Sequence, residues 1–306
     1  QILEEMKNTL KIEKMGIEDD FFELGGDSLL AISLQIALAQ KNIHVNTQEI
    51  YDYPNTRKLA NYINTEEKIK DTIKASKIDL KPEKIKVNDK NNILLTGATG
   101  YLGIHILNYL LTKTSRIIYC IVRNNKAQTS KERLIEKYRY YFNENLDNEI
   151  NKRIFVVTGD LSEKYFSLDK EQYNDLIEKI DVIINTAASV KHYTKRNYNY
   201  KNNVETTQNL IDFAKKSNAL LNHISTIGIA GNNLVNTNDC YKTEFEETDL
   251  YIGQKYWENV YLDTKLKAEL LIIKEIKNQN IIGNIIRVGN LMNRYIDNKF
   301  QDNPEC

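Results

Sequence analysis

The chain has 306 residues, long enough for about two or three domains that each bury a core. Its 42 lysines and arginines balance 42 aspartates and glutamates, so the net charge of +0 provides no overall attraction for nucleic acid or an anionic membrane. Three widely spaced cysteines without a CxxC pair predict no disulfide framework and no metal site, and the absence of a signal pattern or an apolar run of ~18 residues predicts a cytoplasmic protein.

Residues 1–64 are predicted to form a small domain of four short helices. The first is the amphipathic stretch "ILEEMKNTL", the second begins after Asp27 and covers 28–40, and "TQEIYDY" and "TRKLANYI" supply the other two. Residues 65–90 are charged and contain few large apolar side chains, which is typical of a linker.

Residues 91–306 show the pattern of a doubly wound α/β domain. Six apolar segments read as strands: "NILLT", "RIIYCIV", "RIFVVTG", "DVIINTA", "LLNHIST" and "NIIRV". Helices are predicted between them, near 103–112, 130–142, 199–216 and 256–278, with one more between the third and fourth strands. Alternation of strands with helices predicts a parallel, Rossmann-type sheet covered on both faces, in which Cys120 is a buried strand residue.

The stretch "DDFFELGGDSLLAISL" presents Ser28 at the start of a helix. Free backbone N–H groups and the helix dipole make that position suitable for a phosphodiester, and Gly25 and Gly26 allow a tight turn beside it. The alternative is that Asp27 and Ser28 only cap the helix. The helix also carries apolar residues on more than one face, so a second face is available for partner domains.

This stretch resembles the acyl or peptidyl carrier domains of nonribosomal peptide synthetases, over residues 1–64. The resemblance implies that a phosphopantetheinyl transferase attaches a 4′-phosphopantetheine arm to Ser28. The arm would hold an acyl or peptidyl chain as a thioester.

The stretch "NILLTGATGYLG" places Gly97, Gly100 and Gly103 on a strand-to-helix turn, where glycine allows the backbone to approach a pyrophosphate. A glycine triplet alone also occurs for packing reasons, but its position at the head of an alternating β/α pattern favours dinucleotide binding. Other residues of this turn and of later strand ends are also candidates for the cofactor site. They are Thr96, Thr99, Tyr101, Leu102, Asp160, Leu161, Ala187, Ala188, Val288 and Asn290.

The second strand ends in Arg123, where an NAD site would offer a carboxylate to the ribose 2′-hydroxyl. A cation at this position suits a 2′-phosphate, so the sequence favours NADPH. Arg133 lies ten residues further on a predicted helix and is expected to close the same pocket. Its alternative role is that of a solvated helix charge.

Three residues form a candidate catalytic group. Tyr261 and Lys265 have i,i+4 spacing on one helix, and Thr226 ends the fifth strand at the edge where ligands bind. Lys265 can hold a nicotinamide ribose, while Tyr261 and Thr226 can donate hydrogen bonds to a developing oxyanion. The YxxxK pattern alone is common by chance, so this prediction depends on the glycine turn and the strand-end threonine.

Together, "TGATGYLG", "IVR", "GDL", "HISTIG", "YxxxK" and "RVGN" resemble the extended short-chain dehydrogenase/reductase superfamily, most closely the thioester reductase domains of nonribosomal peptide synthetases and carboxylic acid reductases. The resemblance covers 91–306 and implies that Thr226, Tyr261 and Lys265 are catalytic, that Arg123 and Arg133 bind NADPH, and that adenylation and condensation domains precede the carrier. Members usually continue into a helical substrate-binding subdomain, most of which we expect to follow Cys306.

The expected function is NADPH-dependent release of a carrier-bound acyl or peptidyl thioester as an aldehyde, with further reduction to an alcohol as an option. One alternative is an epimerase or dehydratase acting on a nucleotide sugar, which would have no use for a carrier domain. Another is a catalytically silent, cofactor-binding module that docks the carrier.

Overall fold

A computed structural model describes residues 1–43, 45, 47–73, 92–192, 196–234, 245–250, 256 and 259–300. The chain divides into two compact units, Gln1–Lys74 and Ala75–Cys306. Among the described helices, none is both long and apolar enough to cross a membrane.

The first unit is helical, with α1 (Ile2–Leu10), α2 (Ser28–Gln40), α3 (Thr47–Asp52) and α4 (Thr56–Ile73). The first three agree with the predicted helices. α4 continues past the predicted helix as far as Ile73, and residues 74–90 of the predicted linker lie outside the described residues. The reason is local, because this segment contains no glycine or proline and is rich in the helix-forming residues glutamate and lysine.

The second unit contains a six-stranded sheet in the order β3-β2-β1-β4-β5-β6, in which every neighbouring pair is parallel. The strands are β1 (Ile93–Thr96), β2 (Ile118–Val122), β3 (Ile154–Thr158), β4 (Val182–Asn185), β5 (Leu220–Thr226) and β6 (Gly283–Val288). All six predicted strands and the doubly wound α/β class are confirmed. The strand order reverses between β1 and β4, and this switch point is where such sheets bind ligands.

The sheet is buried because its central strands are apolar on both faces. All four residues of β1 and all five of β2 are buried. Cys120 in β2 has no exposed surface, and this burial raises the pKa of its thiol to about 12.

In the described part of this unit, six α-helices connect or cover the strands. They are α5 (Tyr101–Lys113), α6 (Ser130–Phe142), α7 (Lys170–Lys179), α8 (Arg196–Asn199), α9 (Thr206–Ser217) and α10 (Val260–Lys277).

Two of these helices differ from the prediction. The helix expected over 199–216 is interrupted by a π-helical segment, Tyr200–Glu205. Within that segment the Asn203 side chain contacts a neighbouring loop and α10, and these contacts hold the wider turn. α10 begins at Val260 and not near Tyr256, because the Asn259 side chain caps it by accepting from Leu262 N at 3.2 Å.

α10 is enclosed along most of its length, since ten consecutive residues from Thr264 to Ile273 are buried. Charged side chains within this stretch have partners. Glu269 pairs with Arg287 of β6 at 2.8 Å, and Lys267 lies 3.6 Å from Asp263. The helix therefore carries charge into the interior on the side where β5 and β6 lie.

Candidate functional site

Ser28 is the first residue of α2 and is exposed. Asp27 caps the helix by accepting a hydrogen bond from Leu30 N at 2.9 Å, so the Ser28 side chain is not the capping group. The Ser28 hydroxyl oxygen instead accepts from the Tyr51 hydroxyl at 3.0 Å. The serine is thus presented to solvent at a helix N-terminus, with its oxygen accessible for modification.

Gly25 and Gly26, which precede Ser28, are required for different structural reasons. Gly25 has a φ of +104°, a conformation that L side chains rarely adopt. A Cβ on Gly26 would lie 2.7 Å from the Phe21 carbonyl oxygen and would overlap the Phe21 ring, which is fully buried. Phe22 stacks on Tyr51 at 4.4 Å between ring centroids. The adjacent phenylalanines therefore fix the turn that positions the serine.

Helix α2 has an apolar face that the core does not use. Ala31, Leu34 and Leu38 are buried, whereas Leu29, Ile32 and Ile36 are exposed by 74%, 45% and 55%. The exposed residues share one side of the helix because they are three and four positions apart. The structure thus has the second apolar face that the sequence predicts.

The glycine turn after β1 closes tightly. Gly97 has a φ of +69°, and a Cβ on it would lie 2.6 Å from the Thr186 Oγ1 atom at the end of β4. A Cβ on Gly103 would overlap the Gly97 carbonyl oxygen. Helix α5 therefore starts directly against the sheet, with Gly100 as its N-cap residue, and directs its first backbone N–H groups toward the switch point.

A cavity of about 820 Å³ opens at this turn. Its wall contains most of the predicted cofactor residues: Gly97, Thr99, Gly100, Tyr101, Arg123, Arg133, Asp160, Leu161, Ala187 and Ala188. Its size and its glycine cradle fit a dinucleotide, because backbone N–H groups at a helix start suit a pyrophosphate.

Six other predicted cofactor residues are not on this wall, and one of them, Lys265, is described below. Thr96 is fully buried beneath it, and Gly103 packs against the turn itself. Leu102 is in the first turn of α5, Val288 ends β6, and Asn290 follows β6 in an exposed position.

Two arginine side chains lie at the end of the cavity that is next to the carboxyl ends of β2 and β3. Arg123 Nη1 lies 3.7 Å from Asp160 Oδ2, and Arg133 donates a hydrogen bond to the Arg123 carbonyl oxygen. Burial and the neighbouring charge of Arg123 lower the pKa of Arg133. Arg133 is therefore both a wall residue of the cavity and a hydrogen-bond partner of the Arg123 backbone.

Asp160 remains a carboxylate in this setting. Burial alone would raise its pKa, but hydrogen bonds from Ser162 and the charges of Arg123 and Lys201 lower the pKa on balance. The cavity wall also contains residues that the sequence did not single out, among them Asn125, Gln128, Lys137, Ser189 and Lys191. They belong to loops and helix faces without a recognisable spacing.

Lys265 extends from α10 into the sheet and is 3% exposed. Its Nζ donates to the Ile224 carbonyl oxygen at 2.6 Å and lies 3.4 Å from His223 Nε2. Burial lowers the pKa of Lys265 to about 8, against the opposing charge of Glu269.

A row of buried polar groups continues from Lys265 across three strands. His223 Nδ1 lies 2.9 Å from Asn185 Nδ2, and Thr96 Oγ1 donates to Asn185 Oδ1 at 2.6 Å. We call Thr96, Asn185, His223 and Lys265 the polar row. Sequence reasoning missed His223 and Asn185 as site residues, although a histidine and an asparagine inside otherwise apolar strands are a usable signal.

Thr226 and Tyr261 lie on the same two elements as His223 and Lys265. Thr226 is the last residue of β5, and its Oγ1 accepts from Gly228 N at 3.1 Å. Tyr261 is in the first turn of α10, with its ring centroid 5.1 Å from that of His192. β5 and α10 thus carry the three predicted catalytic residues at the carboxyl edge, although none of the three is on the cavity wall.

Asn203 connects the loop after β4 to α10. Its side chain accepts from Ser189 N at 2.7 Å and donates to the Ser189 carbonyl oxygen and to Thr264 Oγ1, each at 3.0 Å. Thr264 directly precedes Lys265. The π-helical segment therefore positions both a wall residue of the cavity and the helix of the candidate catalytic residues.

Within the described ranges, no group of three or more histidine, cysteine, aspartate or glutamate side chains is arranged to hold a metal ion.

Residues 95–302 match the NAD-binding family described as "Male sterility protein", and residues 1–63 match the family described as "Phosphopantetheine attachment site". The chain belongs to the male sterility family of NAD-binding proteins. Its first unit is a phosphopantetheine-attachment domain. The matches thus establish an attachment domain for phosphopantetheine and a binding domain for a nicotinamide cofactor on one chain.

The chain is similar to proteins named as synthases and reductases. "Probable polyketide synthase 44" of Dictyostelium discoideum is 28% identical over 94% of this chain, and the "L-2-aminoadipate reductase large subunit" of Eremothecium gossypii is 30% identical over 66% of it. The chain spans 11% and 16% of these two proteins.

Among solved structures, a thiolation-reductase di-domain from an archaeal non-ribosomal peptide synthetase is similar over 99% of this chain and 65% of its own length. The identity is 33% and the TM-score 0.62. The similarity extends over both the carrier unit and the sheet unit.

The depressed pKa of Lys265 predicts how stability depends on pH. Between about 8 in the folded protein and 10.5, its ordinary value, the unfolded chain binds more protons, so the free energy of unfolding rises with pH across this window. We expect the unmodified protein to gain ~3 kcal/mol relative to Lys265→Met between pH 7 and 10.5, at 1.36 kcal/mol per pKa unit. Urea unfolding at a series of pH values measures this, with the exposed Lys277→Met as control. Parallel pH profiles for the unmodified protein and Lys265→Met would contradict it.

Proposed function

We propose that this protein is an NADPH-dependent oxidoreductase that releases an acyl or peptidyl chain from its own carrier domain as an aldehyde, as the terminal unit of a nonribosomal peptide synthetase. One observation carries the proposal: an exposed serine at a helix start and a dinucleotide cradle occur in one chain. The upstream partners would be adenylation and condensation domains.

The proposed carrier role of Ser28 is supported by its geometry. The hydroxyl is exposed, its neighbour Asp27 supplies the helix cap, and Tyr51 is the side chain that donates to it. A phosphopantetheinyl transferase could therefore modify the oxygen without removing the cap. The apolar face of Leu29, Ile32 and Ile36 is suited to contact with partner domains.

The proposed preference for NADPH rests on Arg123 and Arg133. Both arginines line the cavity, Arg133 in the first turn of α6 and Arg123 directly after β2, where an NAD site would place a carboxylate for the ribose 2′-hydroxyl. A guanidinium can bind a 2′-phosphate with two hydrogen bonds. Asp160 lies 3.7 Å from Arg123 and would help to orient it.

NADPH, when bound, supplies a hydride to the thioester carbon. As the carbonyl oxygen gains negative charge, Tyr261 would donate a proton or hydrogen bond to it and Thr226 a second hydrogen bond. Lys265 would hold the nicotinamide ribose, and its charge would lower the pKa of the Tyr261 phenol. Release of the arm's thiol leaves an aldehyde, which a second round of reduction would convert to an alcohol.

An epimerase or dehydratase acting on a nucleotide sugar would also retain Thr226, Tyr261 and Lys265. It would have no use for the phosphopantetheine-attachment domain at 1–63. A catalytically silent docking module would have no use for the three residues themselves. The reductase is the function that uses both units.

Ser28→Ala should abolish attachment of the arm. Incubation with coenzyme A and a promiscuous phosphopantetheinyl transferase should add one phosphopantetheine to the unmodified protein, because Ser28 supplies the attacking oxygen. Intact-protein mass spectrometry measures the addition. Ser33→Ala, an exposed serine on the same helix, is the matched control and should still be modified. A mass increase in Ser28→Ala would refute the carrier assignment.

Arg123→Ala should weaken NADPH binding by about tenfold or more and leave NADH binding nearly unchanged, because a charge-assisted contact to the 2′-phosphate is lost. Titration of cofactor fluorescence measures both affinities. Arg139→Ala, an exposed arginine on α6 outside the cavity wall, should change neither. Equal losses for the two cofactors would indicate a structural role for Arg123.

Tyr261→Phe should slow thioester reduction by about a hundredfold or more while NADPH affinity is retained, because the phenol acts on charge that develops only in the transition state. Single-turnover oxidation of NADPH by the acyl-loaded full-length protein measures the rate. Tyr109→Phe, an exposed tyrosine on α5, is the control. Near-normal turnover of Tyr261→Phe would mean that another group donates the proton.

A further inference from the structure

The donors and acceptors along the polar row are fixed by a contact at the cavity wall. Asn185 Oδ1 lies 3.2 Å from Ala187 N, and a backbone N–H can only donate, so the amide atom facing it is the oxygen. Thr96 Oγ1 donates to the same oxygen at 2.6 Å. The amide nitrogen of Asn185 must therefore point at His223 Nδ1, 2.9 Å away.

This amide fixes the tautomer of His223. An amide NH₂ group has no lone pair to offer, so His223 Nδ1 must accept and carries no proton. The ring is neutral, because full burial and the nearby Lys265 hold its pKa well below the ordinary value. A neutral imidazole with a bare Nδ1 has its proton on Nε2, the nitrogen that faces Lys265 Nζ at 3.4 Å.

This contact favours the uncharged form of Lys265. A charged ammonium has only donors, so its N–H groups would oppose the N–H of His223. An uncharged amine has one lone pair, which can accept from His223, and it keeps an N–H to donate to the Ile224 carbonyl oxygen at 2.6 Å. We propose that Asn185 holds His223 as its Nε2–H tautomer, and that this N–H donates to Lys265 and stabilises the lysine in its uncharged form. His223 is thus a positioning residue that acts through Lys265.

Other groups near Lys265 also influence whether the lysine is charged. Glu269, one turn further along α10, favours the charged lysine, but Arg287 of β6 pairs with Glu269 at 2.8 Å. Tyr261 lies one turn before Lys265 on the same helix. Burial is the largest influence and favours the uncharged form, in agreement with the contact from His223.

The consequence deepens the proposed function and rests on it. Only the charged lysine offers three donors to a nicotinamide ribose and favours the phenolate of Tyr261. Binding of the cofactor would therefore be linked to proton uptake by Lys265 at mildly alkaline pH. Ala187, whose backbone N–H orients the polar row, is also a residue of the cavity wall.

The tautomer can be measured directly. The chain has four histidines, and long-range ¹⁵N–¹H correlation spectra of the ¹⁵N-histidine-labelled protein report which ring nitrogen carries the proton. The signal lost in His223→Gln assigns His223. We expect the Nε2–H form at neutral pH, and inversion to Nδ1–H in Asn185→Asp, because the introduced carboxylate accepts where the amide donated. An Nδ1–H form in the unmodified protein would overturn the proposal.

The protonation of Lys265 can be followed by NMR titration of the protein labelled with ¹³Cε-lysine. The signal that is missing in Lys265→Met identifies Lys265. We expect its titration midpoint to rise by about one pH unit or more in His223→Gln, where an amide oxygen can turn toward Lys265. The midpoint of the exposed Lys277 should not move. This test does not require Asn185→Asp to fold. An unchanged Lys265 midpoint in folded His223→Gln would overturn the proposal. These signals do not depend on turnover, so absence of reductase activity would refute the proposed function separately.

Discussion

The carboxyl edge of the sheet depends on one continuous set of buried hydrogen bonds. Thr96 of β1, Asn185 of β4 and His223 of β5 contact one another in sequence, and Lys265 of α10 contacts His223. Each polar group would be costly to bury alone, so each requires the next. The row therefore sets the relative positions of the glycine turn, the loop after β4 and the helix that carries Tyr261.

Much of this arrangement could be predicted from local patterns. Six apolar runs separated by helix-forming segments specify a parallel sheet, because only a sheet covered on both faces buries such runs. The glycine turn after β1 and the second apolar face of α2 could also be predicted from the sequence. In both cases the constraint lies within about a dozen neighbouring residues, where spacing alone carries the information.

The parts that could not be predicted depend on contacts between distant segments. The π-helical break at 200–205 is held by Asn203, whose partners are Ser189 and Thr264, so nothing within the helix itself indicates it. The roles of Asn185 and His223 likewise require the strand order, which brings β4 and β5 side by side. Sequence spacing identifies candidate residues within one turn or one helix. It does not identify the side chains that connect two separate elements.

The burial of Cys120 has a chemical consequence for the proposed transfer of a thioester-bound chain. Acyl groups pass between sulfur atoms by attack of a thiolate, and a thiol with its pKa raised to about 12 is protonated at neutral pH. Cys120 also has no exposed surface through which an arm could reach it. The Cys120 sulfur in β2 is therefore closed to acyl exchange, and a chain tethered at Ser28, as proposed, would not be diverted onto it.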